Sequence, residues 1–203
     1  MDNNIIPEDN RKVIEFLKKN PRLTNGPQVK KFEEKWSNWL GVKYSVFVNS
    51  GSAANLASIS YLRTKYNDGE IIVPTITWVS DILSVFYNNF KPVFVDINKD
   101  NLAINEDLIE KAINKKTRAI FLTHVLGLNG LTKKIINLAK KNNLYLIEDV
   151  CESHGATFKN KKVGTYGDIS NFSFYFAHHM STIEGGMVCT NNKEIYEKIR
   201  IIR

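Results

Sequence analysis

Apolar residues recur at two spacings along this chain, and the spacing predicts which segments are helices and which are strands. A spacing of three or four residues predicts amphipathic helices over residues 8–19, Val29–Leu40, Ala53–Tyr66, Trp78–Asn88, Asn105–Asn114, Leu131–Asn142 and Lys193–Arg203. Asn105 is expected to cap its helix. Short apolar runs between the helices predict strands over Ser45–Val48, Ile71–Val73, Pro92–Asp96, Arg118–Thr123 and Leu144–Glu148.

The alternation of strands and helices up to Asp149 is typical of an α/β protein with a parallel or mostly parallel sheet. Beyond that residue, glycines separate short predicted strands at Val163–Gly164, Ile169–Tyr175 and Met187–Thr190. Ligands bind such sheets beyond the C-terminal ends of the strands. We therefore expect a site formed by Asn49–Ser52, Thr77–Trp78, His124 and Asp149.

Composition narrows the class of protein. The 203 residues, 43% of them hydrophobic, are enough to bury a core in one large domain. The net charge of +7 comes from basic residues spread along the chain. This spread indicates a solvated basic surface and argues against a nucleic-acid or membrane-binding patch, although it would also attract an anionic substrate.

Cysteine usage and hydropathy indicate a cytoplasmic location. The two cysteines, Cys151 and Cys189, do not form a disulfide framework, and a reducing compartment is the expectation. The polar segment Met1–Asn10 does not resemble a secretion leader. No stretch reaches the roughly 18 apolar residues that a membrane span needs.

A small-residue turn, Asn49–Ser52, lies between a predicted strand and a predicted helix. The free N–H groups at the start of that helix, the Ser52 hydroxyl and the positive end of the helix dipole would hold a phosphate. A tight turn with serine as the helix cap explains the same residues, so both interpretations stay open.

Asp149 ends an apolar strand, where a buried carboxylate needs a partner. A cationic pyridinium nitrogen would serve as that partner, and so would the N–H groups of the next turn. Trp78 offers a flat face on which an aromatic ring could stack, although a tryptophan that opens a helix is more often part of the core.

The segment Ser173–Met187 is the richest in chemistry, with an aromatic strand, two adjacent histidines, a hydroxyl pair and a glycine pair. Adjacent histidines on an extended strand point to opposite faces, so His178 and His179 are not expected to share a metal. A turn at Ala177 would rotate the second ring. We predict no metal site.

Together these segments resemble the DegT/DnrJ/StrS aminotransferase family, the sugar-nucleotide branch of the fold-type I pyridoxal-phosphate enzymes. The resemblance runs through Leu23–Pro27, Phe32–Glu33, Asn49–Ala53, Pro74–Trp78, Pro92–Asp96, Glu148–Ala156, Val163–Thr165 and Ser173–Gly186. It implies the large domain of that fold, a mixed and mostly parallel sheet flanked by helices.

The resemblance also implies roles for individual residues. Backbone at Gly51 and Ser52 and the hydroxyl of Ser173 would bind the cofactor phosphate. Trp78 would stack on the cofactor ring, and Asp149 would face the ring nitrogen. The cofactor would be pyridoxamine 5'-phosphate or pyridoxal 5'-phosphate.

His178 departs from the family pattern, because ordinary members carry at this position the lysine that forms a Schiff base with the cofactor. Imidazole cannot form that bond. The departure resembles the GDP-4-keto-6-deoxymannose 3-dehydratase subgroup, which implies dehydration of a nucleotide-linked 4-keto-6-deoxyhexose for surface polysaccharide. His178 would then be the acid and base, and glutamate would restore the cofactor amine.

Two residues near Asp149 point to different subgroups. Glu152 stands where many relatives have glutamine and is expected to support the cofactor ring hydroxyl. Cys151 falls where another dehydratase subgroup has one ligand of an iron–sulfur cluster, but one cysteine holds no cluster. A buried structural cysteine is the other interpretation. We assign no catalytic role to His124 or His154.

The predicted helix Lys193–Arg203 has no stop signal, and relatives continue into a small C-terminal domain. We therefore expect residues 1–203 to be an N-terminal segment with the large cofactor-binding domain, lacking the small domain, and to pair as a homodimer. There are two alternatives to the dehydratase: an aminotransferase in which His178 replaces lysine as the proton shuttle, and a non-catalytic fragment.

Overall fold

The computed structural model describes residues 5–203. The expectation that Met1–Asn10 carries no secretion leader falls partly on residues 1–4, which lie outside the described residues. None of the helices in residues 5–203 combines the length and the apolar character that a bilayer-spanning segment requires.

Helices and strands alternate as predicted. The helices are α1 (Pro7–Leu17), α2 (Pro27–Leu40), α3 (Gly51–Arg63), α4 (Val79–Tyr87), α5 (Glu106–Ala112), α6 (Lys133–Lys141) and α7 (Lys193–Ile202). The strands are β1 (Tyr44–Val48), β2 (Glu70–Pro74), β3 (Lys91–Val95), β4 (Thr117–Thr123), β5 (Tyr145–Asp149), β6 (Thr157–Phe158), β7 (Lys161–Lys162), β8 (Ile169–Ser173) and β9 (Gly186–Thr190).

A seven-stranded mixed sheet organises the fold, in the order β1-β9-β8-β5-β4-β2-β3. The pairs β8-β5, β5-β4, β4-β2 and β2-β3 are parallel, whereas β9 runs antiparallel to both of its neighbours. The predicted mixed, mostly parallel sheet flanked by helices is confirmed. The parallel strands end at one edge, and the candidate site lies there.

Both faces of the sheet are covered, because side chains that alternate along a strand enter two different cores. Ile72 packs with Ile109 and Ile135 on the side of α5 and α6, whereas its neighbours Ile71 and Val73 pack on the side of α3 and α7. The three strand residues are fully buried. Burial of each such side chain contributes roughly 1.5–3 kcal/mol, so the strand ends are held rigidly.

Side-chain caps set the starts of α3, α5, α6 and α7. Asn105 accepts hydrogen bonds from the N–H groups of Asp107 (2.9 Å) and Leu108 (3.1 Å), which confirms its predicted capping role. Ser50 accepts from the Ala53 N–H at 3.0 Å and starts α3 two residues earlier than the apolar pattern predicts. The earlier start brings Gly51 into the first turn of the helix.

The predicted strand at Val163–Gly164 is wrong. Gly164 adopts a left-handed φ of +88°, and its N–H donates to the side chain of Glu148 at 2.8 Å instead of to a strand. A short hairpin of β6 and β7 precedes it, which the sequence pattern did not reveal. The strand predicted to reach Tyr175 ends at Ser173, where the chain leaves the sheet.

Candidate active site

Most of the predicted site residues meet at the C-terminal edge of the parallel strands. Asp149 ends β5 and Ser173 ends β8, while Gly51 opens α3 beside them. A Cβ atom placed on Gly51 would lie 2.7 Å from the Ser173 Cβ and 2.9 Å from the Cys151 sulfur. Only glycine fits at this contact, so the first turn of α3 lies directly against the end of β8.

The start of α3 offers donors that no side chain of the helix occupies. Ser50 is the cap, which leaves the Ser52 hydroxyl exposed on the first turn. The Ser173 hydroxyl accepts a hydrogen bond from the Tyr175 N–H at 3.3 Å and lies 3.1 Å from the position of a Gly51 Cβ. Sequence analysis left two interpretations of this turn open, a phosphate site and a serine-capped turn. A serine does cap the helix, but it is Ser50, so the Ser52 hydroxyl is not used as the cap.

Asp149 is buried, and its two carboxylate oxygens have different partners. Oδ1 accepts from the Cys151 N–H at 2.8 Å, so the aspartate does cap the next turn. Oδ2 accepts from the side-chain amide of Asn55 at 3.0 Å. With one N–H donor on each oxygen, the carboxylate keeps capacity for a further partner.

A second carboxylate, Asp81 of α4, lies beside Asp149, and the sequence interpretation missed it. The Asn55 amide nitrogen donates to Asp81 Oδ1 at 2.5 Å as well as to Asp149, and the Thr123 hydroxyl donates to Asp81 Oδ2 at 2.9 Å. Thr77 also hydrogen-bonds Asp81. Burial and the neighbouring Asp149 carboxylate raise the pKa of Asp81 well above its ordinary value.

A sequence signal for Asp81 did exist. It is the one charged residue in the mainly apolar segment Val79–Tyr87, and a charged residue in such a helix needs a partner.

His178 lies in a loop that leaves β8 at the same edge. Its N–H donates to the Tyr175 carbonyl at 3.0 Å and closes a turn at residues 176–177, so of the two alternatives the turn is present and the extended path is not. The ring is half-buried. Burial lowers the pKa of His178, while the nearby carboxylates of Glu152 and Asp149 act in the opposite direction.

The turn also rotates His179, as the alternative to an extended strand anticipated. The His179 ring centre lies 5.4 Å from that of His154, and the His178 ring centre lies 6.4 Å from it. His154 packs against Phe172 and Phe174, and burial lowers the pKa of His154 to about 4. It is therefore neutral at physiological pH and belongs to the wall behind the loop.

His124 is a structural residue. Its Nδ1 accepts from the Gly130 N–H at 3.0 Å, which leaves Nε2 to donate to Glu148 at 3.1 Å. Both side chains are fully buried. Both ring nitrogens of His124 therefore have partners within the protein, although the sequence placed this residue in the site.

Trp78 and Glu152 flank the site. Trp78 is the N-cap residue of α4 and is 66% exposed, so the core interpretation of this tryptophan is wrong. Glu152 is half-buried and accepts from the Leu126 N–H at 3.1 Å through one of its two carboxylate oxygens.

Burial and the Asp149 charge raise the pKa of the Cys151 thiol, so this cysteine is not an activated nucleophile.

In the part of the chain that the structure describes, no group of three or more His, Cys, Asp or Glu side chains is arranged to hold a metal ion. Both cysteines are free thiols.

A family model for the DegT/DnrJ/EryC1/StrS aminotransferases matches residues 3–203. The chain belongs to this family. The resemblance drawn from the motifs is thereby confirmed.

Two curated relatives represent different activities. The GDP-4-keto-6-deoxy-D-mannose 3-dehydratase of Yersinia pseudotuberculosis is 38% identical over 89% of this chain and 47% of its own length. The GDP-perosamine synthase of Escherichia coli O157:H7 is 37% identical over 86% of this chain and 48% of its own length. The chain thus spans about half the length of the curated relatives it matches.

A solved structure shows the same fold. The E. coli GDP-4-keto-6-deoxy-D-mannose 3-dehydratase with bound hydrated pyridoxal phosphate superposes with a TM-score of 0.90 at 35% identity, covering 95% of this chain and 51% of that chain. The predicted fold, the large domain of the fold-type I enzymes, is confirmed by this likeness.

Proposed function

We propose that the protein containing this chain is a pyridoxamine-phosphate-dependent 3-dehydratase of a nucleotide-linked 4-keto-6-deoxyhexose. The observation that carries the proposal is His178, an imidazole instead of a lysine amine, in the loop that leaves β8 at the edge of the sheet where Asp149 ends β5. The similarity to a 3-dehydratase over most of this chain supports the same reaction.

The residues at the start of α3 fit a cofactor phosphate. A side chain at residue 51 would collide with Ser173, so glycine lets the backbone of the first turn of α3 come close to the Ser173 hydroxyl. A 13-residue helix begins there, and its dipole favours an anion. In this proposal Gly51, Ser52 and Ser173 hold the phosphate.

The remaining predicted residues fit the cofactor ring. Asp149 has spare acceptor capacity for a protonated ring nitrogen, and the exposed indole of Trp78 is available for stacking. Glu152 is assigned to the ring hydroxyl. When bound, the cofactor would supply an amine for condensation with the sugar ketone and a ring that accepts electrons.

His178 would move the protons. Burial lowers its pKa, so near neutral pH a ring nitrogen is unprotonated and is ready to remove a proton. The resulting imidazolium, stabilised by Glu152 and Asp149, then delivers that proton to the departing C3 hydroxyl oxygen of the sugar. One side chain acts first as the base and then as the acid.

Partners follow from this chemistry. The substrate is a nucleotide sugar. Glutamate is the proposed amino donor that restores the cofactor amine, and a cofactor without a covalent bond to the protein suits that exchange. The free thiols Cys151 and Cys189 fit our proposal of a cytoplasmic enzyme.

We propose a homodimer, with a second copy of the chain covering the exposed apolar side of α4. Val79, Leu83, Phe86 and Tyr87 recur at helical spacing and are 38–69% exposed. This surface continues from Trp78 at the site. Equilibrium sedimentation of wild-type protein is expected to give a dimer, and Phe86→Glu is expected to weaken it; a wild-type monomer would contradict the pairing.

A sugar-nucleotide aminotransferase is the second candidate function. The identity to a GDP-perosamine synthase, 37%, is nearly the same as that to the dehydratase. In that case His178 would move protons without expulsion of the C3 hydroxyl.

Product analysis separates the two candidates. Purified protein with a GDP-linked 4-keto-6-deoxyhexose, glutamate and pyridoxal phosphate is expected to release 2-oxoglutarate and ammonia and to form a 3-deoxy-4-keto sugar. A retained 4-amino sugar in the mass spectrum would select the aminotransferase. Absence of any cofactor absorbance after loading would favour the non-catalytic fragment.

A further inference from the structure

Asp81 lies outside the roles assigned above, although it is surrounded by polar partners. Its side chain is fully buried, and it receives hydrogen bonds from Asn55, Thr77 and Thr123, which lie on or beside three different elements of the fold. A carboxyl group buried so completely is costly unless it is neutral or paired with a cation. No cation is among its hydrogen-bond partners in the described chain.

The amide of Asn55 joins Asp81 to Asp149. One nitrogen lies 2.5 Å from Asp81 Oδ1 and 3.0 Å from Asp149 Oδ2, and it also lies 3.0 Å from the Ser80 hydroxyl. The Asn55 carbonyl accepts from Asn171, so the orientation of the amide is determined. Two N–H donors therefore face three oxygens, and two carboxylates are held close together.

Two buried carboxylates that accept from the same amide nitrogen, with no cation beside them, do not both ionise. Asp149 accepts from a backbone N–H and is 3% exposed, whereas Asp81 is 0% exposed and accepts from two hydroxyl groups and the same amide. The titratable groups that face Asp81 are Asp149 and Cys151, and neither supplies a positive charge.

We propose that Asp81 is a positioning residue: a neutral carboxylic acid that shares one proton with Asp149 and so holds the Asp149 carboxylate in place towards the site. The part of this inference that concerns the cofactor rests on the proposed function. Asp81 touches neither cofactor nor substrate, and it acts through Asp149. Burial and the Asp149 charge, which raise the pKa of Asp81, agree with the neutral form.

Urea unfolding of the cofactor-free chain tests the proton. The folded chain retains a proton on Asp81 that the unfolded chain releases above about pH 4, so rising pH destabilises wild type relative to Asp81→Asn. The unfolding constant of wild type divided by that of Asp81→Asn is expected to rise by up to about tenfold per pH unit. The ratio for Asp100→Asn, an exposed turn aspartate, is expected to stay nearly constant. A constant or falling ratio for Asp81→Asn would overturn the proposal.

A measurement on wild type covers the case in which the variant does not fold. With ¹³C-labelled aspartate carboxyl carbons, one NMR resonance is expected to keep the shift of a protonated carboxyl at pH 7. If every aspartate titrates near pH 4, the shared proton does not exist.

Cofactor affinity tests the positioning role. Asp81→Asn, whose amide also donates to Asp149, is expected to bind pyridoxamine phosphate within about threefold of wild type, whereas Asp81→Ala binds at least about tenfold more weakly. Unchanged binding by Asp81→Ala would refute the role. If wild type itself binds no cofactor, the proposed function fails, while the unfolding ratio still decides whether Asp81 holds a proton.

Discussion

Glu148 and Asp149 are neighbouring buried carboxylates on one strand, but the protein treats them differently. Glu148 accepts from the N–H groups of Gly164, Tyr166 and Gly167 at 2.6–2.9 Å and from His124 at 3.1 Å. Asp149 has two N–H donors and shares one of them with a second acid. Alternation along the strand sends the two side chains to opposite faces of the sheet.

The difference separates a carboxylate whose acceptor capacity the protein uses completely from one that keeps capacity for a further partner. All the acceptor capacity of Glu148 is used to hold the loop of residues 164–167 and the His124 ring, so nothing remains for a ligand. Asp149 keeps spare capacity at the strand end where ligands bind. Burial alone therefore does not distinguish the two acids, whereas the count of protein donors does.

Replacement of Glu148 by Gln is expected to have the largest effect on stability. The amide NH₂ would face donors instead of accepting from them, leaving buried N–H groups unpaired, and the free energy of unfolding should fall by roughly 3 kcal/mol or more. Urea denaturation measures this change. A loss of less than about 1 kcal/mol would mean that Glu148 does not anchor the loop.

The matched change, Asp149→Asn, is expected to affect activity instead. The amide that replaces the carboxylate would keep an acceptor for the Cys151 N–H and remove a charge beside Asp81, so the free energy of unfolding should change by less than about 1 kcal/mol. The dehydration rate should fall on the order of 100-fold, because the ring nitrogen loses its charged partner. Equal effects of both substitutions on stability would remove the distinction between the two acids.

The left-handed glycine beside Glu148 gives a smaller effect. Gly164 has φ +88°, and a Cβ there would lie 2.8 Å from the Phe172 ring. Gly164→Ala is expected to destabilise the fold by about 1–3 kcal/mol. Gly127→Ala is a suitable control, since that residue also has a positive φ but has open space around it. Equal losses in the two variants would show that the contact with Phe172 contributes nothing.

The smallest effect concerns pH. Because burial lowers the pKa of His178, the base form persists below the ordinary value of about 6.5. The midpoint of the decline in dehydration rate on acidification should therefore lie below pH 6.5. A midpoint above pH 7 would show that the group which must be unprotonated is not His178.

The sequence pattern predicts the framework well, because alternating apolar runs and capping residues are local signals. Asn105 caps as predicted, and every strand of the parallel part was found. The end of β8 was predicted two residues too late, and the turn at residues 176–177 was one of two alternatives, since it depends on contacts that close the loop from Phe174 to Thr182 and Gly185. Such contacts join residues that the local pattern treats separately.

The site residues divide in the same way. Gly51, Asp149 and His178 could be singled out because they lie in recognisable segments, whereas the lone charge of Asp81 in α4 gives no partner and Asn55 has no local signal. They are 26 positions apart and meet because α3 and α4 pack side by side above the strand ends. The donors around Glu148 could not be predicted either, because three of them are N–H groups of the loop of residues 164–167. The sequence pattern had assigned the first residue of that loop to a strand.

The most direct measurement of the central claim is the absorption spectrum and product mass of His178→Lys loaded with pyridoxal phosphate. Lysine can bond covalently to the cofactor aldehyde, so a new absorbance band and loss of the 3-deoxy sugar are expected. Dehydration at the wild-type rate in this variant would contradict the assignment of the proton transfers to the imidazole.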